Sequence, residues 1–220
     1  MVVEHKALTN LLFKYRSLFS KDLSTVPARI EPFVLTETKD SDWLTSNRHK
    51  QSIRIQSPAK KAAIKKFVDK ALELGVIVPS QASSWSQVHL TKKPDDSWRF
   101  TLDFRGLNSV TQSMGWPIPN IPETLQRIGA RRSKYFAIID LTCGYNQAPL
   151  SDESSDLTSF VCSEGLFKWK RLAMGLKGAG SHFQHHMSFT VLKGLVQKIC
   201  DVYFDDIIVD GKTAMDNKQS

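Results

Sequence analysis

The sequence predicts an α+β fold, and three observations carry that prediction. Residues 199–209 read Ile-Cys-Asp-Val-Tyr-Phe-Asp-Asp-Ile-Ile-Val, two apolar β-branched runs around two acids, the pattern of a hairpin with Asp205 and Asp206 at its tip. Tyr135-Phe136-Ala137-Ile138-Ile139 is a continuous apolar run, as expected of a central strand covered on both faces, and it ends in Asp140. Stretches of helical period alternate with two further hairpin patterns, so helices and hairpin strands are both expected.

A chain of 220 residues that is 41% hydrophobic and 10% aromatic can bury a substantial core, as one compact body or as two lobes. No apolar run approaches the roughly 20 residues that a membrane span requires, and residues 1–10 lack a basic region followed by an apolar one. No membrane association is therefore expected. Cys143, Cys162 and Cys200 are odd in number and widely spaced, which fits neither a disulfide framework nor a zinc-ligand pattern. A reducing intracellular setting, the cytoplasm, is expected. The net charge of +8 favours polyanionic partners without specifying one.

In chain order, Leu8, Leu11, Leu12, Tyr15 and Leu18 recur at helical spacing and predict a short amphipathic helix whose apolar side packs. Residues 20–56 mix prolines, charges and short extended pieces, and read as an arm with little regular structure. Ser57-Pro58 is an N-cap followed by proline at the first helical position, and Gly75 stops the helix between them. Ile64, Phe67, Val68, Ala71 and Leu72 form its expected buried face, with Lys60, Lys61, Lys65, Lys66 and Lys70 largely solvated. Val76 to Pro79 is extended. Residues 92–97 form a basic turn between Val88-His89-Leu90-Thr91 and Trp98-Arg99-Phe100-Thr101-Leu102, a hairpin flanked by Lys92 and Arg99. Such lysines commonly serve solubility; a mobile clamp for a triphosphate is the functional alternative.

Pro117, Pro119 and Pro122 enforce an irregular crossing before a short helix over residues 121–128. A Gly144-Tyr145-Asn146-Gln147 turn follows Asp140 closely. Phe160-Val161-Cys162 and Leu166-Phe167-Lys168-Trp169 flank Ser163-Glu164-Gly165 as a third hairpin. Gly175, Gly178 and Gly180 introduce a helix from Ser181 to about Leu192, with Phe183, Met187 and Val191 as its buried stripe. Those glycines match no common phosphate-binding fingerprint and read as close backbone approach to a flat partner. His182, His185 and His186 lack the intervening Glu of the metalloprotease motif, and read as solvated or core-edge side chains.

Taken alone, Asp205-Asp206 is ordinary turn chemistry. Its company changes the reading, because Asp140 supplies a third acid, and rigid carboxylates suit Mg²⁺, which takes hard oxygen ligands and shares its shell with substrate phosphates.

The ordered motifs resemble the reverse transcriptases of gypsy-type LTR retrotransposons. The resemblance rests on Leu90-Thr91-Lys92-Lys93 with Ser97-Trp98-Arg99-Phe100, on Asp103-Phe104-Arg105-Gly106-Leu107-Asn108, on Ile139-Asp140-Leu141 with Gly144-Tyr145-Asn146-Gln147, on Met174-Gly175-Leu176 with Phe183-Gln184, and on Tyr203-Phe204-Asp205-Asp206. Leu74-Gly75-Val76-Ile77-Val78-Pro79-Ser80 adds to it, so the likeness covers roughly residues 60–210. It implies a right-hand polymerase: residues 1–57 as an N-terminal helix and extended arm, 58–112 and 148–178 as fingers, 113–147 and 179–220 as palm, the palm sheet being backed by helices. It implies that Asp140 and Asp205, with the Leu141 carbonyl, bind two Mg²⁺ ions, and that Asp206 supports them. Lys92 and Arg99 match triphosphate-binding positions, Gly175 a nucleotide-binding one, and Tyr145 the aromatic gate that excludes a 2′-hydroxyl. The implied partners are an RNA or DNA template with its primer and deoxynucleoside triphosphates.

The chain departs from the family at Ala173-Met174-Gly175-Leu176-Lys177-Gly178-Ala179-Gly180, where Pro-Phe-Gly-Leu-Thr-Asn-Ala-Pro is usual, and at Leu157, where Lys is usual. It ends soon after Val209 with a polar tail, so the resemblance leaves thumb, primer grip, ribonuclease H and integrase without counterparts. The expectation is an RNA-directed DNA polymerase domain of a retrotransposon Pol polyprotein, in a truncated copy. The alternative is a nonenzymatic remnant or an RNA-binding protein.

Overall fold

The computed structural model describes residues 2–45 and 50–212. Residues 46–49 of the expected arm and the polar tail 213–220 of the expected palm lie outside the described residues. The helices are α1 (Val2–Lys14), α2 (Pro58–Glu73), α3 (Arg105–Ser109), α4 (Ile121–Arg131), α5 (Gly144–Gln147), α6 (Asp152–Leu157) and α7 (Ala179–His186). The strands are β1 (Ile77–Pro79), β2 (Ser86–Lys92), β3 (Trp98–Asp103), β4 (Tyr135–Asp140), β5 (Phe160–Cys162), β6 (Gly165–Trp169), β7 (Cys200–Tyr203) and β8 (Asp206–Gly211). The chain divides into two compact units, one of Met1–Leu23, Trp116–Gly144 and Gly180–Ser220, the other of Ser24–Gly115 and Tyr145–Ala179. The N-terminal helix and arm are thus shared, residues 1–23 falling in one unit and the rest of the arm in the other.

The larger unit is built on a five-stranded sheet in the order β1-β6-β5-β2-β3. Its hairpins β2–β3 and β5–β6 are antiparallel, and β2 and β5 run parallel. Helix α2 starts as its sequence dictates: the Ser57 side chain accepts from the Lys60 amide, Pro58 opens the helix, and Gly75 follows with φ 64°. Ile64, Val68 and Ala71 are buried, while Leu72, expected inside, is exposed. Phe67 of α2 stacks on Phe100 of β3 with centroids 3.8 Å apart, which docks the helix on the sheet. Lys65 pairs with Asp69, and Lys70 with Glu73, along the exposed side. Helix α6 escaped the sequence reading, although Ser151 is a plain signal: its hydroxyl accepts from the Ser154 amide as an N-cap. Leu157, the departure from the family's lysine, is buried at the end of that helix.

The smaller unit carries a three-stranded antiparallel sheet in the order β4-β8-β7. Here four expectations are corrected. Strand β4 is an edge strand among the described residues and every residue in it is exposed, Ile138 by 74%, because only β8 of the described strands pairs with it and the side chains that clamp the sheet reach β7 and β8. Helix α7 ends at His186 and continues as a π-helical turn over Met187–Val191. That change of period turns Val191 outward, 53% exposed, while Phe183 and Met187 remain buried. The expected packing side of α1 is largely exposed: Leu8, Leu12, Tyr15 and Leu18 are exposed, and Leu11 is half-buried. Helix α4 runs three residues beyond its expected end, with the Asn120 side chain capping the Glu123 amide and Arg132 closing it at φ 54°. No helix among the described residues is long and apolar enough to cross a membrane.

Candidate active site

Strand β4 delivers Asp140 and β8 begins with Asp206, and these two are direct partners in the antiparallel register. Opposed residues in such a ladder have Cα atoms about 4.5–5.5 Å apart. One step on, the Leu141 amide donates to the Asp205 carbonyl at 3.2 Å. The fold therefore brings Asp140, Leu141, Asp205 and Asp206 together at one end of the small sheet. Asp140 and Asp206 are exposed, and Asp205 and Leu141 are half-buried.

The tip is tight. Tyr203 pairs with Asp206, so the loop of the β7–β8 hairpin is Phe204-Asp205 alone, and Phe204 takes φ 54°. A bulky residue is uncommon in that left-handed region, so the surroundings must hold it there. Gln184 of α7 does so: its side-chain oxygen accepts the Phe204 amide at 2.8 Å and its amide donates to the Val202 carbonyl at 3.2 Å. Gly144 is required by close approach, because a Cβ there would stand 2.9 Å from Asp205 Cβ and 3.2 Å from the Phe183 ring.

The sheet beneath is anchored by charge. Arg127 and Arg131 of α4 bind Asp201 of β7, Arg131 also binds Asp210 of β8 at 2.7 Å, and both acids are buried. Sequence reasoning passed over Gln184, Arg127 and Arg131 as functional supports. The signal was available in Asp201 and Asp210, two acids inside apolar strands that burial would make costly without cations.

The other predicted residues lie in the larger unit. Lys92 and Arg99 share the β2–β3 hairpin, where Lys92 is opposite Trp98 and Thr91 is opposite Arg99. Alternation along a strand therefore puts Lys92 and Arg99 on opposite faces. Lys92 ion-pairs with Asp96 at 2.6 Å and lies 5.9 Å from the Trp98 ring centroid, and Lys60 lies 5.3 Å from the same centroid. Arg99 is exposed on the other face. Gly175 has φ 93°, a conformation that explains its glycine without a ligand, and Asn108 clamps the turn by donating to the Gly175 carbonyl and accepting the Lys177 amide. Asp103 accepts from Arg105 through both carboxylate oxygens at 2.8 Å and also from Arg54. The Arg105 guanidinium, aided by Arg54, holds the Asp103 carboxyl well below the usual carboxylate range. Tyr145, the second residue of α5, is half-buried.

His182 and His186 are buried with ring centroids 4.4 Å apart, and His185 packs edge-on against Trp116, so the core-edge reading of these histidines describes them. Cys143, Cys162 and Cys200 are free thiols, and burial pushes those of Cys162 and Cys200 up. Among the described residues no group of three or more His, Cys, Asp or Glu side chains is gathered as a metal cage.

Comparison with known proteins follows the same geometry. Residues 91–219 match the family model described as reverse transcriptase (RNA-dependent DNA polymerase). The chain is 32% identical over 209 residues to the retrovirus-related Pol polyprotein of transposon opus from Drosophila melanogaster, covering 92% of this chain and 20% of that polyprotein. It is 35% identical over 156 residues to the Pol polyprotein of transposon gypsy from the same fly, covering 68% of this chain and 15% of that one. The chain thus spans a fifth or less of these curated relatives. Among solved structures it is similar to a foamy viral protease-reverse transcriptase in complex with an RNA/DNA hybrid, with TM-score 0.81, 23% identity, and coverage of 98% of this chain and 28% of that one. That likeness concerns the fold, a mixed α+β chain with a sheet backed by helices, as in reverse transcriptase fingers and palm. A family model spanning more than half the chain includes both the Asp140 strand and the Asp205-Asp206 hairpin, and the chain belongs to the reverse transcriptase (RNA-dependent DNA polymerase) family.

Proposed function

We propose that this chain supplies the fingers and palm of an RNA-directed DNA polymerase, which joins deoxynucleoside triphosphates to a primer on an RNA or DNA template. The observation that carries the reading is the direct pairing of Asp140 with Asp206, with Leu141 bonded to Asp205 beside them. Asp140 and Asp205, with the Leu141 carbonyl, form an all-oxygen donor set of the kind Mg²⁺ takes. That ion is commonly held by one or two carboxylates together with waters and substrate phosphates, so no closed protein cage is required. Two such ions, when bound, supply charge stabilisation at the attacking and leaving oxygens of an in-line displacement. Asp206 adds negative charge at the same point, and Gln184 and Gly144 keep the tip in place.

Arg99 is suited to bidentate contact with a triphosphate, and Lys92, the last residue of β2 and on the opposite face, to a point-charge contact made around the end of the hairpin by its long flexible stem. Gly175 lets a nucleotide approach backbone without a Cβ in the way. The Tyr145 ring blocks a 2′-hydroxyl. The net charge of +8 adds salt-dependent, sequence-independent attraction to template phosphates, and the RNA/DNA hybrid bound by the foamy viral relative supports such a partner. Three unpaired cysteines suit a reducing, cytoplasmic setting.

The test uses a polypeptide that carries these residues and extends a primer. Asp205→Asn should reduce extension by at least about a hundredfold while template affinity, measured by fluorescence anisotropy, stays within about threefold. Persistent extension removes the acids from the chemistry, and loss of folding makes them structural. A parent polypeptide that binds template without extending it favours the nonenzymatic nucleic-acid-binding reading.

A further inference from the structure

Arg171 lies just after β6 and is buried, with only 3% of its surface exposed. A buried cation is costly and is ordinarily matched by a carboxylate. Among the described residues none forms an ion pair with Arg171. Its guanidinium donates instead to three main-chain carbonyls, those of Thr25 at 2.7 Å, Ser24 at 3.4 Å and Asn146 at 3.3 Å. These belong to two segments far apart in sequence. Ser24 and Thr25 are in the arm, whose described residues between Leu18 and Pro58 form no helix or strand. Asn146 is in α5, directly after Tyr145.

The same turn is held from both sides. The Asn146 side-chain amide donates to the Leu172 carbonyl at 3.0 Å, the Leu172 amide donates to the Ala148 carbonyl at 2.9 Å, and the Ala28 amide of the arm donates to the Gln147 carbonyl at 2.8 Å. A guanidinium is a planar fork with five donors, so one side chain can hold carbonyls of two segments at once; an ammonium cannot reproduce that geometry. All of these residues lie within the larger unit.

We propose that Arg171 is the positioning residue for Tyr145: it locks the arm to the α5 turn and so fixes where the Tyr145 ring meets the sugar of the incoming nucleotide. Arg171 itself is buried and touches no nucleotide. The inference rests on the reading of Tyr145 as the sugar gate, and it makes the irregular arm part of the specificity apparatus. Burial also lowers the affinity of Arg171 for its proton.

The experiment compares parent, Tyr145→Ala, Arg171→Met and Arg171→Lys in a primer-extending polypeptide that carries these residues. The readout is the ratio of kcat/KM for a ribonucleotide to that for the matching deoxynucleotide. Tyr145→Ala should raise this ratio by more than about tenfold, Arg171→Met by about tenfold and Arg171→Lys by less, since an ammonium keeps only part of the contact. A merely structural role would lower both rates together and leave the ratio alone. If Tyr145→Ala raises the ratio and both Arg171 variants keep it within about twofold of parent, the positioning role is overturned while the gate stands. If Tyr145→Ala leaves the ratio unchanged, gate and positioning role fall together. Should Arg171→Met lose its cooperative thermal transition, Arg171→Lys decides by the same criterion.

Discussion

Gln184 and Phe204 are joined by a 2.8 Å hydrogen bond that fixes the turn bearing Asp205 to helix α7. Gln184 is only 1% exposed, and its amide uses both ends on the hairpin backbone. Replacing it by Leu should leave the Phe204 amide unpaired, at a cost of about 1–3 kcal/mol in stability. The larger effect should be on rate, because small displacements of a reacting constellation cost on the order of a hundredfold. Thermal melting read beside single-turnover extension separates the two. An unchanged extension rate would show that the turn holds Asp205 without Gln184.

Gly144→Ala tests close approach rather than hydrogen bonding. The new Cβ would meet Asp205 Cβ at 2.9 Å and the Phe183 ring at 3.2 Å, both parts of a packed region. Overpacking of this kind costs about 1–3 kcal/mol and moves what it touches. Extension should fall more than stability does. Full activity with an unaltered melting temperature would mean that the hairpin yields freely at this point.

Arg131 bridges Asp201 and Asp210, which are 2% and 6% exposed. Arg131→Ala should destabilise the fold by about 3–5 kcal/mol, since it strands charge in the interior. Urea unfolding would measure it. Arg131→Ala combined with Asp210→Asn should recover part of the loss; a double variant no better than the single one would place the cost elsewhere.

Asp103 makes acid stability a local property. Its folded pKa is depressed by Arg105 and Arg54, so its contribution is complete above the ordinary carboxylate pKa of about 4 and is lost as pH falls through the lower folded value. Asp103→Asn should therefore lower stability at neutral pH and flatten its decline between about pH 4 and pH 2. Melting temperatures across that range would show two curves converging as pH drops. Curves that remain parallel would mean that Asp103 is not the group being titrated.

The sequence by itself determined the local elements and the identity of the acids. Ser57-Pro58 and Gly75 bound α2 because capping and backbone conformation are decided within a few residues, and the apolar runs around Asp205-Asp206 could close only as a hairpin. Only the tertiary structure decided which residues face which. The apolar run of β4 reads the same whether the strand is central or at an edge, because period and composition do not record the number of neighbours, and among the described residues there is one. The stripe of α7 was legible to Met187 and failed at Val191, where a π-helical turn broke the helical period on which the reading depended. Asp140 and Asp206 are 66 positions apart, Gln184 and Phe204 come from different elements, and Arg171 meets carbonyls near the chain's beginning. Contacts of that range are set by how the elements pack, and no window of neighbouring residues contains them.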